Sequence, residues 1–413
     1  MVVTIFTILL AVLGLGPPET HAFIAALPTA SRVPYTYLGR RRAGAAASHR
    51  GIVVPVSAAA IGPLAATSTA QEDTYIFRDR FKIHAETSGP KSGQPVLLVH
   101  GFGCSTTYWR AVISALVEAG YRVHAIDLLG QGKSEKPGRA EGVEYSINLW
   151  ATLLDDYARD VVAKERRNGP GTGTGTGGGE GVILIGNSLG SLVALSAALG
   201  DHIDDDDDDD DDDGPAAAAY LPGRVKGLCF YNCGVGLNSR GIVTESQWSP
   251  FQRFLFTAVL NTLDLVLFKN PPVLTYLLNK VVTKDLLRGA LEGLYRYDPT
   301  RVDDELIDSF YYPAKEKGAP EALGQIYTND PGRSPMDLHA KYSDKADSLV
   351  IHLIWGDDDA VTPLAGGVGT FYSALADDAT TSVTMDVVGK TGHIPFDDNI
   401  ECNGGMLRWI KTL

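Results

Sequence analysis

The chain alternates short apolar runs with longer segments in which apolar residues recur at helical spacing, beginning near residue 73. The stretch TYIFRDRFKIHAETSG (74–89) alternates apolar and polar residues, which predicts a short antiparallel pair of strands. Six further runs are apolar and end in glycines or polar residues, as expected of strands buried on both faces. These runs are PVLLVHGFG (95–103), YRVHAIDLLGQG (121–132), GVILIGNSLG (181–190), RVKGLCFYNCG (224–234), SLVIHLIWGDDD (348–359) and SVTMDVVGKTGH (382–393).

Helical patterns lie between these runs. Residues 108–118 and 189–199 are predicted helices, and residues 146–164 carry an apolar stripe at four-residue spacing. The stripe consists of Leu149, Leu153, Tyr157 and Val161. Because strands alternate with helices, we predict the α/β fold class, with a mostly parallel central sheet covered by helices on both faces.

Three segments interrupt this alternation. Residues 169–181 are a Gly/Thr tract, and residues 204–219 begin with consecutive aspartates, so both are predicted to be flexible surface insertions. Residues 238–345 form a long, apolar and helical interval, which predicts an inserted lid. The core domain is then expected to comprise residues 71–237 and 346–413.

Composition adds few functional indications. With 413 residues and 44% hydrophobic content, the chain can bury a substantial core. The net charge of -14 comes mostly from Asp204 to Asp213, so the acidity is local. The folded part of the sequence contains no stripe of interleaved basic and aromatic residues, so nucleic-acid binding is not indicated. We predict neither a metal nor a cofactor, because the cysteines lack metal-ligand spacing and are expected to be free buried thiols: Cys104, Cys229, Cys233 and Cys402.

The first seventy residues have the composition of targeting segments. Residues 1–22 combine an uncharged apolar run with small residues at Thr20 and Ala22, which predicts a signal peptide. Residues 23–70 contain arginines and no acidic residue, which is typical of a transit peptide. Together they resemble the two-part presequence of algae with secondary plastids. We therefore predict a plastid location, with a secreted protein as the alternative.

The ends of the apolar runs carry residues with chemical potential. In a parallel sheet the carboxyl ends of the strands meet at one edge, where reactive groups gather. HGFG (100–103) follows one run, and Ser188 lies within Gly186-x-Ser188-x-Gly190 after another. The last two runs lead into WGDDDAVTP (355–363) and GKTGHIPFDD (389–398), which contain the candidates Asp357, Asp358, Asp359 and His393.

This order of serine, aspartate and histidine suits nucleophilic catalysis. A serine hydroxyl is a weak nucleophile until a base takes its proton, and His393 is suited to that task. A carboxylate would hold the imidazole in the correct tautomer, and the three adjacent aspartates leave its identity open. The alternative interpretation is a glycine-rich turn between strand and helix, with Ser188 as an ordinary cap.

The motifs in this order resemble the α/β-hydrolase fold over residues 73–413. In that family the acid precedes a proline by four positions, which selects Asp359 with Pro363, and Asn232 at another acid position cannot serve. More narrowly, GNSLG, YNCGVGLNSRG, WGDDDAVTP and GHIPFDD resemble plastid chlorophyll dephytylase and pheophytinase-like hydrolases, which remove phytol from chlorophyll pigments. The chain departs from that pattern at three residues, which affect the expected substrate: Ser191, Ile394 and Phe396.

The resemblance implies a role for each motif residue. Ser188 would be the nucleophile, His393 the general base and Asp359 its acidic partner. The backbone N–H groups of Phe102 and Leu189 would form an oxyanion hole, where one donor typically contributes about a hundredfold to a thousandfold in rate. The remaining motif residues would support the turns at the nucleophile and the oxyanion loop: His100, Gly101, Gly186 and Gly190.

The functional prediction is a serine carboxylesterase that acts on an apolar small-molecule ester, with a phytylated tetrapyrrole favoured. Peripheral contact with the thylakoid membrane is a further expectation. Two alternatives remain, a C–C bond hydrolase with the same triad and a ligand receptor on a hydrolase fold with little turnover. Dehalogenases and epoxide hydrolases are disfavoured because they use a carboxylate nucleophile where this chain has Ser188.

Overall fold

A computed structural model of the protein describes residues 71–167, 181–203, 219–238 and 250–413. The predicted signal and transit peptides lie outside the described residues, as do nearly all of the Gly/Thr and aspartate insertions. These predictions therefore stay predictions.

The described residues form one eight-stranded sheet in the order β1-β2-β4-β3-β5-β6-β7-β8. Strand β2 pairs antiparallel with β1 and β4, and the remaining neighbours are parallel. The predicted hairpin and the mostly parallel sheet are thus confirmed. The strands are β1 Gln71–Phe77, β2 Phe81–Ser88, β3 Pro95–Val99, β4 Arg122–Ile126, β5 Val182–Asn187, β6 Val225–Tyr231, β7 Ile351–Gly356 and β8 Val383–Val388.

Helices cover both faces of the sheet. Those of the first part of the chain are α1 Arg110–Glu118, α2 Ile147–Tyr157, α3 Ala163–Arg167 and α4 Leu189–Leu199. Between β6 and β7 lie α5 Pro250–Leu263, α6 Pro271–Tyr276, α7 Lys284–Glu292, α8 Asp304–Tyr311, α9 Ala319–Thr328, α10 Pro335–Lys341 and α11 Ser343–Ala346. The last are α12 Gly367–Asp377, α13 Pro395–Asp398 and α14 Asn403–Ile410.

Local sequence explains where the helices begin. Helix α2 starts at Ile147 because the Ser146 side chain accepts a hydrogen bond from the Leu149 N–H, which caps the first turn. A single π turn, Ala158–Val162, carries the chain on into α3, so the predicted stripe follows one continuous helical segment. The prediction for residues 108–118 is refined, since a 3-10 turn precedes α1.

The core lies in two layers, one on each face of the sheet. In β3, Leu97 and Val99 pack into the layer under α2 and α4, whereas Val96 and Leu98 pack into the layer under α1 and α14. Successive side chains of a strand point to opposite faces, so a continuous apolar run fills both layers. Burial of each such side chain contributes roughly 1.5–3 kcal/mol.

We call the helices between β6 and β7, residues 250–346, the lid. Part of it forms a small apolar cluster of its own, in which Leu267, Phe268, Leu274 and Tyr327 are buried. Phe102 and Leu323 pack against this cluster, so the lid contacts the sheet edge where HGFG lies. In the part of the chain that the structure describes, no helix has the length and apolarity needed to cross a membrane.

Candidate active site

Ser188 lies in the turn between β5 and α4 and has an unusual backbone conformation, with φ 53° and ψ -121°. A residue other than glycine rarely adopts a positive φ, so the backbone of the turn is strained at Ser188. The glycines on either side permit the turn. A Cβ on Gly186 would lie 2.5 Å from the Ser191 nitrogen, and one on Gly190 would lie 2.1 Å from the Val99 carbonyl oxygen. The Gly-x-Ser-x-Gly spacing therefore serves a close approach of strand and helix.

His393 and Asp359 come together from two different loops. The Nδ1 atom of His393 lies 2.8 Å from Oδ2 of Asp359, and both side chains are largely buried. Asp359 also accepts hydrogen bonds from the Val361 N–H and the Thr362 hydroxyl. Burial opposes ionisation of Asp359, but the neighbouring His393 and hydrogen bonds from the Asn232 and Thr362 side chains hold the pKa of the carboxyl below its usual value.

The three adjacent aspartates have different partners. Asp358 is exposed and pairs with the Arg296 guanidinium at 3.1 Å, and Asp357 accepts a hydrogen bond from the Lys390 N–H at 2.6 Å. Asp359 is the one that contacts His393. The geometry thus selects the same residue as the family spacing.

Asn232, directly after β6, contacts the same carboxylate oxygen of Asp359 as His393 does. Its amide nitrogen lies 2.5 Å from Oδ2 of Asp359, and its Oδ1 accepts a hydrogen bond from the Gly356 N–H. Asn232 has a positive φ of 47°, as an asparagine tolerates better than most residues. The sequence analysis considered Asn232 only as a residue unable to act as the acid, and overlooked this supporting contact.

The oxyanion loop follows β3 and lies beside the serine turn. A Cβ on Gly101 would lie 3.4 Å from the Cβ of Ser188. Within the described residues, neither the Phe102 nor the Leu189 N–H has a hydrogen-bond acceptor, so both donors are available to a ligand. The next residue of the loop is fixed, because the Gly103 N–H donates to Oε1 of Gln131 at 2.6 Å.

His100 braces this loop, as predicted from its place in the motif. Its Nε2 accepts a hydrogen bond from the Leu128 N–H, so the proton is on Nδ1, which donates to the Gly101 carbonyl at 2.6 Å. The ring is fully buried, and burial lowers its pKa despite the nearby Asp127 carboxylate. A neutral ring with both nitrogens engaged has a structural role.

A second network, missed by the sequence analysis, connects the three loops. The Tyr108 hydroxyl accepts from the Gly101 N–H at 2.7 Å and donates to Oδ1 of Asn187 at 3.3 Å. The Asn187 amide in turn donates to the carbonyls of Tyr231 and His393. Asn187 belongs to the GNSLG motif, so its position was a detectable indication, whereas nothing in the sequence singled out Tyr108.

Ser188 and His393 line one cavity of about 240 Å³ between the sheet edge and the lid. The sheet side supplies its polar groups, which include Gln131, Asn187 and Cys104. Burial raises the pKa of the Cys104 thiol, so this cysteine is not activated. The cavity-lining residues from the described part of the lid are all apolar: Leu278, Val282, Leu287, Ala290, Leu291, Leu294, Phe310, Pro313, Ala314, Ala319, Leu323 and Ile326.

Two buried aspartates, four and five positions after His393, attach the lid to the histidine loop. Asp397 accepts hydrogen bonds from Arg110, Arg301 and the Tyr295 hydroxyl. Asp398 accepts from the Gly392 N–H and from three successive N–H groups of residues 296–298. The end of the GHIPFDD motif therefore holds one lid segment against the site.

One group of potential metal ligands occurs within the described residues. Ligand atoms of Glu72, His84 and Glu86 lie within 4.8 Å of one another on the β1–β2 pair. Lys133 already forms an ion pair with Glu72, and the Thr106 hydroxyl donates to Glu86. None of the three lines the cavity, so we assign no metal to this group.

Comparison with known proteins identifies the family. A model of the alpha/beta hydrolase family matches residues 96–402, which is most of the chain. The chain therefore belongs to the alpha/beta hydrolase family. Among solved structures, a bromoperoxidase from Bacillus anthracis superposes with a TM-score of 0.55, covering 83% of this chain and 100% of that chain. Its sequence identity of 18% means that this likeness concerns the fold alone.

Matches to curated relatives are local. A haloalkane dehalogenase of Mycolicibacterium paratuberculosis is 41% identical over 68 residues, which are 16% of this chain and 23% of that protein. Bifunctional epoxide hydrolase 2 of Sus scrofa is 36% identical over 91 residues, which are 22% of this chain and 16% of that protein. The chain spans well under half the length of the curated relatives it matches.

Proposed function

We propose that the protein is a serine hydrolase that cleaves a carboxylic ester carrying a large apolar group. One observation carries the proposal: Ser188, in a strained turn, lines the same cavity as His393, whose ring contacts Asp359. A serine with this setting suits nucleophilic attack better than the structural role of a helix cap. In support of that, the Ser188 side chain makes no capping hydrogen bond to α4.

The residues divide the reaction between them. The Ser188 Oγ attacks the acyl carbon of the ester while Nε2 of His393 takes the hydroxyl proton, since Nδ1 contacts Asp359. The Phe102 and Leu189 N–H groups donate to the oxyanion of the tetrahedral intermediate. His393 then gives its proton to the leaving alkoxide. Water, deprotonated by the same ring, then attacks the acyl-serine to form a second tetrahedral intermediate. This intermediate expels the Ser188 oxygen, which takes the proton back from His393, and the carboxylic acid leaves.

The lid supports an apolar substrate. Each lid residue at the cavity offers only hydrocarbon or aromatic contacts, and such a wall favours a long alkyl or isoprenoid chain. A phytylated pigment is one member of this class, and it is favoured by the resemblance of GNSLG and GHIPFDD to dephytylating hydrolases.

An ester series tests the general proposal. The full chain is assayed with p-nitrophenyl esters of increasing acyl length, beside a Ser188→Ala variant. We expect kcat/KM to rise with chain length and the Ser188→Ala variant to lose turnover by several orders of magnitude. A folded protein that hydrolyses none of the esters would contradict the proposal and would favour a ligand receptor.

A second assay addresses the narrower substrate. Release of free phytol from chlorophyll or pheophytin, absent in the Ser188→Ala variant, is the expected result. Turnover of simple esters without release of phytol would exclude phytylated pigments while leaving the esterase proposal intact. Cleavage of a vinylogous diketone with no ester turnover would instead favour the C–C bond hydrolase.

A further inference from the structure

The outer surface of the lid exposes large apolar side chains. Among the described residues, the most exposed large apolar side chains are Leu265 at 74%, Phe254 at 71%, Tyr276 at 62%, Val266 at 59% and Tyr312 at 58%. The first four lie in the first part of the lid, and we call them the outer lid face. Single exposed apolar residues are ordinary, but these four lie on α5, on the turn after it and on α6, which pack against one another. Such a cluster marks a contact surface.

This face is the reverse side of a segment that also contacts the site. Directly after Leu265 and Val266, Leu267 and Phe268 are buried, and Phe268 stacks on Tyr327 with ring centroids 4.3 Å apart. Tyr327 meets Phe102 of the oxyanion loop edge-on at 5.4 Å. The rings of Phe268 and Tyr327 therefore lie between the outer lid face and Phe102 of the oxyanion loop.

The charge of this segment differs from that of the chain. Residues 250–283 contain Arg253, Lys269 and Lys280 but only one acidic residue, Asp264, which is buried. Lys269 and Lys280 are exposed, so the segment presents positive charge in a chain whose net charge is -14. Lys280 and Tyr276 line one surface groove together with Pro271, Pro272, Thr275 and Asn279.

We propose that the outer lid face docks on a lipid bilayer that contains anionic lipid. Exposed aliphatic and aromatic side chains enter the interface between headgroups and acyl chains, and flanking lysines are attracted to anionic headgroups. An acidic protein, such as a second copy of this chain, would also be attracted to the lysines, and the dependence of the signal on protein concentration distinguishes it from a bilayer. The proposal concerns binding alone and goes beyond the esterase activity, so either can fail without the other.

The same segment would bring the bilayer close to the cavity. Leu278 and Val282 line the cavity, whereas Tyr276 and Lys280, on the same stretch of chain, are exposed. An apolar ester dissolved in the bilayer would then have a short path to the site. Docking at the outer lid face thus supplies a source for a substrate that is poorly soluble in water.

A dye on the outer lid face tests the proposal. The four native cysteines are buried, so a Leu265→Cys variant of the full chain can be labelled with a polarity-sensitive maleimide dye. Vesicles of phosphatidylcholine with about one quarter phosphatidylglycerol should shift its emission to the blue and protect it from acrylamide. The matched control is Val387→Cys, an exposed apolar position on β8, where the dye should remain in water.

Charge variants give a second, independent readout. Replacing both Lys269 and Lys280 by glutamate should weaken binding to these vesicles at least thirtyfold, because each lysine near an anionic surface contributes about 1 kcal/mol. Replacing both by arginine should leave binding within about twofold, and hydrolysis of a soluble ester should be unchanged in both variants, since neither residue lines the cavity.

Three results would overturn the proposal. The first is a dye at position 265 that stays in water while the protein binds vesicles, since another segment, such as the apolar residues 1–16, would then bind. The second is that the protein binds neutral vesicles as strongly as anionic ones and that the glutamate variant binds as strongly as the wild type. The third is a blue shift without lipid that grows with protein concentration, which would show that a second copy of the chain covers the face.

Discussion

One wall of the cavity comes from the carboxyl ends of the strands, and the other comes from the lid. The sheet wall holds Ser188, His393 and Asn187, and its side chains are connected by hydrogen bonds between three loops. The lid wall offers the cavity only apolar groups. Its polar contacts lie away from the cavity, as where Tyr295 and Arg301 donate hydrogen bonds to Asp397. Under the proposed function, the chemistry belongs to one wall and the selection of the substrate to the other.

This division follows from the physics of each wall. Catalytic groups need fixed geometry, which strand ends and their hydrogen-bonded loops provide. An apolar wall needs only area and shape, so helices of varied sequence can supply it. Substitutions in the sheet wall should therefore change the rate of the chemical step, whereas those in the lid should change stability or substrate preference.

The largest expected effect is in the sheet wall. Asp359→Asn should lower kcat by about ten-thousandfold, because an amide favours the wrong tautomer of His393. The matched control is Asp358→Asn, which removes a neighbouring exposed carboxylate and should leave kcat within about twofold. Steady-state kinetics with a soluble ester checks both. Equal losses in the two variants would mean that Asp359 has no special role.

Disrupting the attachment of the lid should have the next largest effect, which is a loss of stability and not of kcat. Asp397→Asn leaves the Arg110 and Arg301 guanidinium groups without their shared carboxylate in a buried site. The free energy of unfolding should fall by about 3 kcal/mol, as for other broken buried ion pairs. Urea unfolding measures this loss. Asp304→Asn, which breaks an exposed pair with Arg288, is the control and should show no measurable loss.

A pH effect should come from the packing of α10 on α12. His339 packs edge-on against Phe371 and Tyr372, and burial lowers its pKa from 6.5 to about 4. Between these values the unfolded chain binds a proton that the folded protein does not, so stability falls as the pH falls from about 6.5 to 4.

Replacing this histidine should remove that loss. In His339→Phe, the decrease in unfolding free energy from pH 7 to pH 5 should be smaller than in the wild type by about 2 kcal/mol. Urea unfolding at the two pH values checks the difference. An unchanged decrease would show that His339 is as accessible to protons in the folded protein as in the unfolded one.

The smallest expected effect is in the lid wall. Leu287→Ala should raise KM for a long-chain ester about tenfold and leave kcat nearly unchanged, because it removes apolar contacts that the substrate makes before and during reaction. Leu286 is its neighbour in α7 but does not line the cavity, so Leu286→Ala is the matched control. A similar change in both variants would mean that α7 acts only through packing.

The sheet wall was predictable because its information is local. Gly186, Ser188 and Gly190 lie within five positions, and their spacing reports a turn that only small residues permit. The buried strands were predictable from their continuous apolar runs. Helix 189–199 was predicted with the bounds that the structure shows. The choice of Asp359 among the three adjacent aspartates required either the family spacing or the contact between Asp359 and His393.

The rest depends on contacts between distant positions. Arg110 and Asp397 are 287 positions apart, and no local pattern indicates that they meet. Tyr108 and Asn232 likewise gain their roles from neighbours on other strands. The helical character of the lid followed from its apolarity, but its face toward the cavity and its outer lid face could be separated only in three dimensions.

The most direct test of the account is to locate an activated serine. The full chain is treated with a fluorophosphonate probe, and the adduct is mapped by peptide mass spectrometry in wild type, Ser188→Ala and Ser191→Ala. The account predicts an adduct on Ser188 that is lost in Ser188→Ala and retained in Ser191→Ala, where a buried neighbouring hydroxyl is removed. A folded protein that forms no adduct, or forms it elsewhere, would contradict a Ser188 nucleophile.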